Sequence, residues 1–262
     1  MERVAAEQRL LVVVLLVAVH LAVGCYNPPS IPAPNLRIQI DTSFSSNAYL
    51  MCILEKLELT KFINDLALFD GTVRNGRNVI LKVGYVPKRP GYSAVANAET
   101  NNDLGPYKIQ IIINEDRVNL SSLQLATIIL HEIIHAELFV ANFHKGGSPI
   151  DADFEYNFNQ YVEKYSEGGN SNIQHNYMAE KMVSKMASIL SAIHPYLGKT
   201  EFQNNPNVKA VFTSRFITAK FYTALAWAGL HWTDKWRYDL PERNTYQEYQ
   251  SLASENLNNE CQ

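Results

Sequence analysis

Two histidines and a glutamate lie in the middle of one of the most apolar stretches of the chain. In SSLQLATIILHEIIHAELFVANF, residues 121–143, these polar residues are His131, Glu132 and His135. Burying a neutral polar side chain without a partner costs on the order of 2–7 kcal/mol. Apolar neighbours nearly encircle the expected helix and leave it no wide solvated face: Ile128, Ile129, Ile133, Ile134 and Leu138. The three polar side chains therefore need compensation inside the protein, and a metal ion is the leading candidate.

The spacing of these residues predicts which of them bind the metal. Residues four apart on an α-helix lie about 40° apart around its axis, so His131 and His135 share a face that one Zn²⁺ can bridge. Glu132 lies about 60° beyond His135, where it can accept a proton from a water molecule at the metal without being a ligand. This is the HExxH pattern, which predicts zinc as the cofactor and Glu132 as the general base.

A catalytic zinc needs a third protein ligand and one open position. Six residues after His135, where some HExxH sites have a histidine, stands Ala141, and we expect His144 to point away from the site. The remaining candidates are His175, Glu180, Glu155 and Glu163. His175 begins an apolar stripe that continues through Met178, Met182, Met186 and Ile189, so we expect its ring to face inward. Glu180 lies about 140° from His175 and should be solvated. We therefore favour His175, the alternatives being Glu180 as the ligand or His175 as a satisfied core histidine.

The elements that position these residues indicate a single α+β domain over residues 46–262. Ser121 and Gln124 have the spacing of a capping box, which predicts the start of the HExxH helix. Apolar periodicity predicts further helices over 48–69, 175–193 and 216–232, and β-branched runs predict strands over 78–87 and 107–116. We expect a loop over 97–106, irregular or locally helical chain over 144–172, and a polar tail after 232.

The N-terminus has the pattern of an export signal. Arg3 and Arg9 precede an apolar run over residues 10–23, which is shorter than the about 20 residues of a membrane span but suits a signal peptide. The run ends in LAVGC, which resembles the lipobox of bacterial lipoproteins. That resemblance implies a signal peptide over 1–24 and a lipid-modified Cys25 as the first residue of the mature chain. The alternative is an uncleaved anchor helix.

Residues 25–45 contain Pro28, Pro29, Pro32 and Pro34, which favour extended geometry and predict a semi-rigid linker. Together with the lipobox, they predict an exported protein tethered to a membrane, on the periplasmic or cell-surface side. In such an oxidising compartment Cys52 and Cys261 could form a disulfide, although Cys52 could equally be a buried free thiol. The two interpretations have equal weight.

Composition and charge limit the class of partner. The chain of 262 residues is 47% hydrophobic and 19% charged, as in ordinary globular proteins. Its net charge is −3, its pI is about 6.2, and it has no Lys/Arg run with interleaved aromatics. Nucleic acid is therefore not expected as a partner. The sequence leaves the oligomeric state open.

TIILHEIIHAEL followed by QHNYMAEKM resembles the zincin metallopeptidases, most closely the SprT-like branch found among bacterial lipoproteins. The resemblance covers residues 79–193. It implies a zincin-like domain in which a small β-sheet packs on the HExxH helix, with further helices towards the C-terminus. It also implies zinc at His131, His135 and His175, Glu132 as the general base, and residues 107–116 as the sheet edge along which a substrate peptide lies. The chain lacks the basic region of the DNA-repair members of the wider family.

Two functions follow as hypotheses. The first is a zinc metallopeptidase that hydrolyses peptide bonds of a peptide or protein outside the cytoplasm. The second is a non-catalytic surface lipoprotein in which zinc only holds helices together; Glu132 favours the enzyme, since a structural site needs no base. A group that stabilises the oxyanion cannot be chosen among five candidates: Tyr156, Tyr161, Tyr165, Tyr177 and His231.

Overall fold

A computed structural model describes residues 38–60, 78–88, 95–101, 108–143, 170–197, 215–256 and 261. It confirms the α+β class, with one small mixed sheet and several helices. The predicted signal peptide, Cys25 and the linker as far as residue 37 lie outside the described residues. Among the helices that are described, none is both long and apolar enough to span a membrane.

The sheet has four strands in the order β1-β2-β4-β3. Strands β1 (Ile38–Ile40), β2 (Asn78–Gly84) and β4 (Lys108–Asn114) run parallel, and β3 (Ala98–Asn101) is antiparallel to β4. The core side chains of the central strands are almost fully buried: Val79, Leu81, Ile109, Ile111 and Ile113. Strand β1 lies inside the segment predicted as linker, so the folded chain begins earlier than the composition suggested.

Two predictions about the sheet were wrong. The expected loop over 97–106 contains β3, and the strand expected at the sheet edge over 107–116 is β4, which lies between β2 and β3. Strand β3 is an edge strand with a short, polar AETN sequence, which lacks the apolar pattern that predicts strands. Within the described chain, the sheet edges are β1 and β3.

The helices are numbered in chain order, and their bounds are α1 (Thr42–Ser45), α2 (Ala48–Leu59), α3 (Ser122–Phe143), α4 (Asn170–Tyr177), α5 (Val183–Ile193), α6 (Arg215–Ala226) and α7 (Arg243–Asn256). A π-helical turn, Met178–Met182, joins α4 to α5, and a second one spans Lys235–Asp239. Short 3₁₀ turns follow β4 at Glu115–Arg117 and α5 at His194–Tyr196.

Helix α3, which carries the HExxH residues, is central to the domain. Its capping box is confirmed, because the Gln124 backbone N–H donates to Ser121 Oγ at 3.3 Å and the Ser121 N–H donates to Gln124 Oε1 at 3.2 Å. The helix contacts β3 and β4 as well as helices α2, α5, α6 and α7. This packing on several sides explains why the sequence of α3 is apolar nearly all round.

The C-terminal third departs from the sequence prediction in two places. The helix expected over 216–232 ends at Ala226, because Gly229 adopts a left-handed conformation (φ 83°) and turns the chain. The expected polar tail contains α7, which packs on α6. A disulfide joins Cys52 of α2 to Cys261, which decides a question that the sequence left open.

Candidate metal centre

Three imidazole rings converge in the interior of the domain. His135 Nε2 lies 3.0 Å from His131 Nε2 and 3.0 Å from His175 Nε2. The potential ligand atoms of the three residues all lie within 4.8 Å of one another. A tetrahedral ion with metal–nitrogen bonds of about 2.0–2.1 Å holds its nitrogen ligands roughly 3.3 Å apart. The three histidines therefore have the spacing of a metal-binding group.

Two helices supply these rings. His131 and His135 come from successive turns of α3, as the four-residue spacing predicted. His175 lies in the second turn of α4 rather than at the start of a helix, and the π-helical turn follows α4 directly. The predicted inward stripe is confirmed, since Met178, Met182, Met186 and Ile189 are all buried. Such π turns insert an extra residue in a helix and are frequent near functional sites.

Of the other candidate ligands, only Glu180 belongs to the described chain. It lies on the π-helical turn and is exposed, as the sequence predicted. The described residues thus bring His175, and not Glu180, to the two histidines of α3. His144, Glu155 and Glu163 lie outside the described residues.

The hydrogen-bond partner of His135 Nδ1 identifies which ring nitrogen of His135 is protonated. Nδ1 lies 2.8 Å from the side-chain amide oxygen Oε1 of Gln174, which can only accept, so Nδ1 carries the hydrogen and Nε2 carries a lone pair. That one lone pair faces both His131 Nε2 and His175 Nε2. It cannot accept two hydrogen bonds well, whereas a cation at the centre would accept a lone pair from each ring. The donor set therefore fits a metal ion better than a proton network.

His131 occupies the most confined position of the three. Gly229 packs so closely on its ring that a Cβ at that position would lie 2.9 Å from His131 Cε1. The buried His131 Nδ1 has no hydrogen-bond partner among the described residues. Burial, followed by the neighbouring His135 and His175, holds the pKa of His131 well below its ordinary value. The ring is thus kept in the neutral form that binds metals.

The turn that contains Gly229 is also fixed to the helix that carries His175. The backbone N–H of Asp234 donates to Asn176 Oδ1 at 3.2 Å, next in sequence to His175. The segment after α6 therefore packs on His131 at Gly229 and on α4 at Asp234. The same segment therefore contacts both His131 of α3 and the helix α4 that carries His175.

Glu132 is buried beside the sheet, and its side chain meets the edge strand. The Thr100 hydroxyl lies 2.6 Å from Glu132 Oε2 and 3.1 Å from the Glu132 carbonyl oxygen. Glu132 is 8% exposed, so a carboxylate sits in a largely dry environment within one residue of a candidate ligand. A carboxylate in this position has the chemistry of a general base towards water at an ion that the three histidines would hold.

Two of the five candidates for oxyanion stabilisation, Tyr177 and His231, belong to the described residues. Tyr177 is buried in the core, and the His231 ring packs on Trp236 with a centroid separation of 4.3 Å. Burial lowers the pKa of His231, which favours its neutral form, although its bond to Gln250 acts in the opposite direction. The other three, Tyr156, Tyr161 and Tyr165, lie outside the described residues.

Sequence reasoning missed three residues that surround the site: Thr100, Gln174 and Gly229. A glycine after an apolar helix is a recognised stop signal, so Gly229 could have been anticipated as a turn but not as a contact of His131. No sequence signal marks Thr100 or Gln174, because each meets its partner only through the tertiary fold.

The chain was also compared with known proteins. No protein family, no curated protein and no solved structure matches it.

Proposed function

We propose that this protein is a zinc metallopeptidase of the HExxH type, with a zincin-like arrangement of sheet and helices around its metal. The observation that carries the proposal is the approach of three imidazole nitrogens from two helices, with His135 Nε2 3.0 Å from both of the others. Imidazole ligands suit zinc, and three protein ligands with one open position are typical of catalytic rather than structural zinc sites.

Each residue has a distinct part in the proposed reaction. His131, His135 and His175 would hold the ion, and Gln174 orients His135 through Nδ1. When bound, zinc lowers the pKa of a coordinated water to about 7 and polarises a carbonyl group. Glu132 then takes the proton of the attacking water and returns it to the leaving amine. The burial of Glu132 keeps bulk water away from this transfer.

The sheet supplies a place for an extended substrate. Strand β3 is an edge strand whose Thr100 contacts Glu132, so a peptide paired with β3 would pass beside the general base. This role replaces the one expected for β4, which is not an edge.

We further propose that the protein works outside the cytoplasm, tethered to a membrane through Cys25. Support comes from the LAVGC sequence and from the disulfide between Cys52 and Cys261, since disulfides persist in oxidising compartments.

The deciding experiment compares the full chain, purified in mild detergent and loaded with zinc, with its Glu132→Gln variant. A broad peptide library is incubated with each, and products are identified by mass spectrometry. Losing a positioned base lowers rates by about 10²–10⁴-fold, while the isosteric amide should leave the zinc content unchanged. Glu137→Gln is the matched control, because Glu137 is a second buried glutamate on α3.

Three outcomes are distinguishable. Cleavage by the parent and by Glu137→Gln, but not by Glu132→Gln, supports the enzyme. Stoichiometric zinc without cleavage by any form supports the alternative of a zinc-stabilised structural lipoprotein. Cleavage that is unchanged in Glu132→Gln would mean that Glu132 is not the general base.

A further inference from the structure

The contact between the edge strand and Glu132 suggests a role for Thr100. We propose that Thr100 is a positioning residue, which holds the Glu132 carboxylate in the orientation needed for proton transfer. This inference rests on the proposed function, and it adds to the metal ligands and the base a residue from the edge strand β3.

The geometry identifies which acceptor Thr100 uses. Its hydroxyl has one hydrogen, and two oxygens of Glu132 lie within reach: Oε2 at 2.6 Å and the backbone carbonyl at 3.1 Å. A separation of about 2.5–2.7 Å is typical of a hydroxyl that donates to a carboxylate. The hydrogen therefore goes to Oε2, and the backbone carbonyl is the secondary contact.

Both partners are anchored by regular structure. Thr100 pairs with Ile111 of β4, which is fully buried, and Glu132 belongs to α3. A glutamate side chain on its own has several rotatable bonds and considerable rotamer freedom. Because the sheet fixes the donor and the helix fixes the backbone of the acceptor, the bond restricts the carboxylate between two rigid elements.

The Thr100 hydroxyl also donates a charge-assisted hydrogen bond to the Glu132 carboxylate in a region with little access for water. Glu132 is buried and Thr100 is partly buried, so the carboxylate gains a donor that does not exchange with solvent. Removing such a donor leaves the charge to reorient towards other partners or water. We therefore expect the reaction rate to depend on the hydroxyl of Thr100 rather than on the bulk of its side chain.

The kinetic test compares Thr100→Val, which removes the hydroxyl but keeps the shape, with Thr100→Ser, which keeps the hydroxyl. Thr100→Val should lower kcat roughly 10- to 100-fold, as expected for losing a hydrogen bond to a charged group, with KM and zinc content nearly unchanged. Thr100→Ser should restore most of the rate. Thr223→Val is the matched control, since Thr223 is also partly buried and its hydroxyl donates only within α6, to Ala219.

A double variant tests whether Thr100 acts through Glu132. In the Glu132→Gln background, where the base is already lost, Thr100→Val should lower the residual rate by less than twofold. An equal loss in both backgrounds, or a rise in KM with kcat unchanged, would overturn the inference, since Thr100 would then act on the substrate or on the fold.

A measurement without catalysis separates this inference from the proposed function. In the metal-free protein, Thr100→Val should lower Tm by about 3–6 °C, and this shift should shrink by at least half when Glu132 is already Ala. Equal shifts in both backgrounds would show that Thr100 does not hold Glu132. If the parent cleaves no peptide, the proposed function is wrong, but the thermal comparison still decides whether Thr100 holds the carboxylate.

Discussion

His194 and His131 are both almost completely buried, yet their surroundings differ in kind. His194 Nδ1 lies 2.8 Å from the hydroxyl of Tyr222, which can both donate and accept. His131 Nε2 lies 3.0 Å from His135 Nε2, the centroid of the His175 ring is 5.5 Å from that of His131, and Gly229 packs closely on His131 Cε1. One histidine has an ordinary neutral partner, and the other belongs to a group in which several ring nitrogens point at one place.

The difference shows how a structural histidine can be told from a ligand. A hydroxyl adapts to either tautomer, so the pair of His194 and Tyr222 is satisfied with no outside group. The group of three imidazoles differs, because His135 already donates through Nδ1 to Gln174 and its single Nε2 lone pair faces two other rings. Burial alone therefore does not distinguish the two histidines, whereas convergence of ring nitrogens marks a group that could hold a cation.

The largest expected effect comes from removing the third ring of the group. His175→Ala should lower the zinc content of the dialysed protein from about one per chain to near zero, because two histidines alone leave the ion half-coordinated. Glu180→Ala, on the exposed face of the same segment, should keep its zinc. Elemental analysis of both variants makes the comparison, and the reverse ranking would assign the third ligand to Glu180.

His194, whose ring nitrogen is hydrogen-bonded to Tyr222, provides the control for the three-histidine group. Tyr222→Phe removes the hydroxyl beside His194 and should destabilise the fold by about 1–3 kcal/mol, since a buried ring nitrogen loses its bond. Its zinc content should match that of the parent. Loss of zinc in Tyr222→Phe would contradict the division into a structural and a metal-binding histidine site.

The three-histidine group was largely predictable from the sequence. The spacing of His131 and His135, the capping residues Ser121 and Gln124, and the inward stripe through His175 all depend on local helical periodicity. Local periodicity is the strongest structural signal in a sequence. The convergence of α4 on α3 was expected only from the resemblance and from the direction of the stripe.

The surroundings of the site were not predictable, for identifiable reasons. Strand β3 is short, polar and paired on one side, so AETN resembles a loop. Thr100, Gln174 and Gly229 reach the site through contacts between segments that are distant in sequence. The end of α6 at Ala226 depends on the conformation of Gly229, which an apolar run alone does not reveal.

A smaller effect is expected from the glycine that packs on His131. Gly229→Ala adds a methyl group 2.9 Å from His131 Cε1 at a φ of 83°, so both the backbone and the ring must shift. We expect a loss of stability of about 1–3 kcal/mol and zinc affinity about tenfold weaker, in the range seen when the surroundings of a ligand are disturbed. Competition with a chelator measures the affinity.

Gly84→Ala is the matched control for this substitution. A Cβ at Gly84, the last residue of β2, would lie 3.5 Å from Ile112 Cγ2, an ordinary van der Waals distance. Its zinc affinity should equal that of the parent. If both variants weaken zinc binding equally, the contact between Gly229 and His131 does not specifically support the metal site.

The smallest effect concerns Glu58. It tests whether a buried atom without a hydrogen-bond partner is enough to identify a metal-binding site. Glu58 Oε1, like His131 Nδ1, is buried with no hydrogen-bond partner among the described residues. Within that same part of the chain, however, only the three histidines come together as a potential metal-binding group. Burial and the nearby Glu55 raise the pKa of Glu58 from 4.5 to about 7. Glu58 should therefore influence stability but not metal binding.

The sign of the pH dependence follows from that shift. Between pH 4.5 and about 7 the folded protein keeps the proton of Glu58 while the unfolded chain has lost it, so the free energy of unfolding falls as the pH rises through this window. Glu58→Gln removes the titration and should raise stability at pH 8 by about 1–2 kcal/mol, after allowance for partial exposure, relative to its effect at pH 4. Denaturant unfolding at both pH values measures the difference, with the exposed Glu115→Gln as control. A change in the zinc content of Glu58→Gln would show that a buried group without a hydrogen-bond partner can influence zinc binding without lying among the ligands. The distinction between a structural histidine such as His194 and a candidate ligand such as His131 would then need more than convergence.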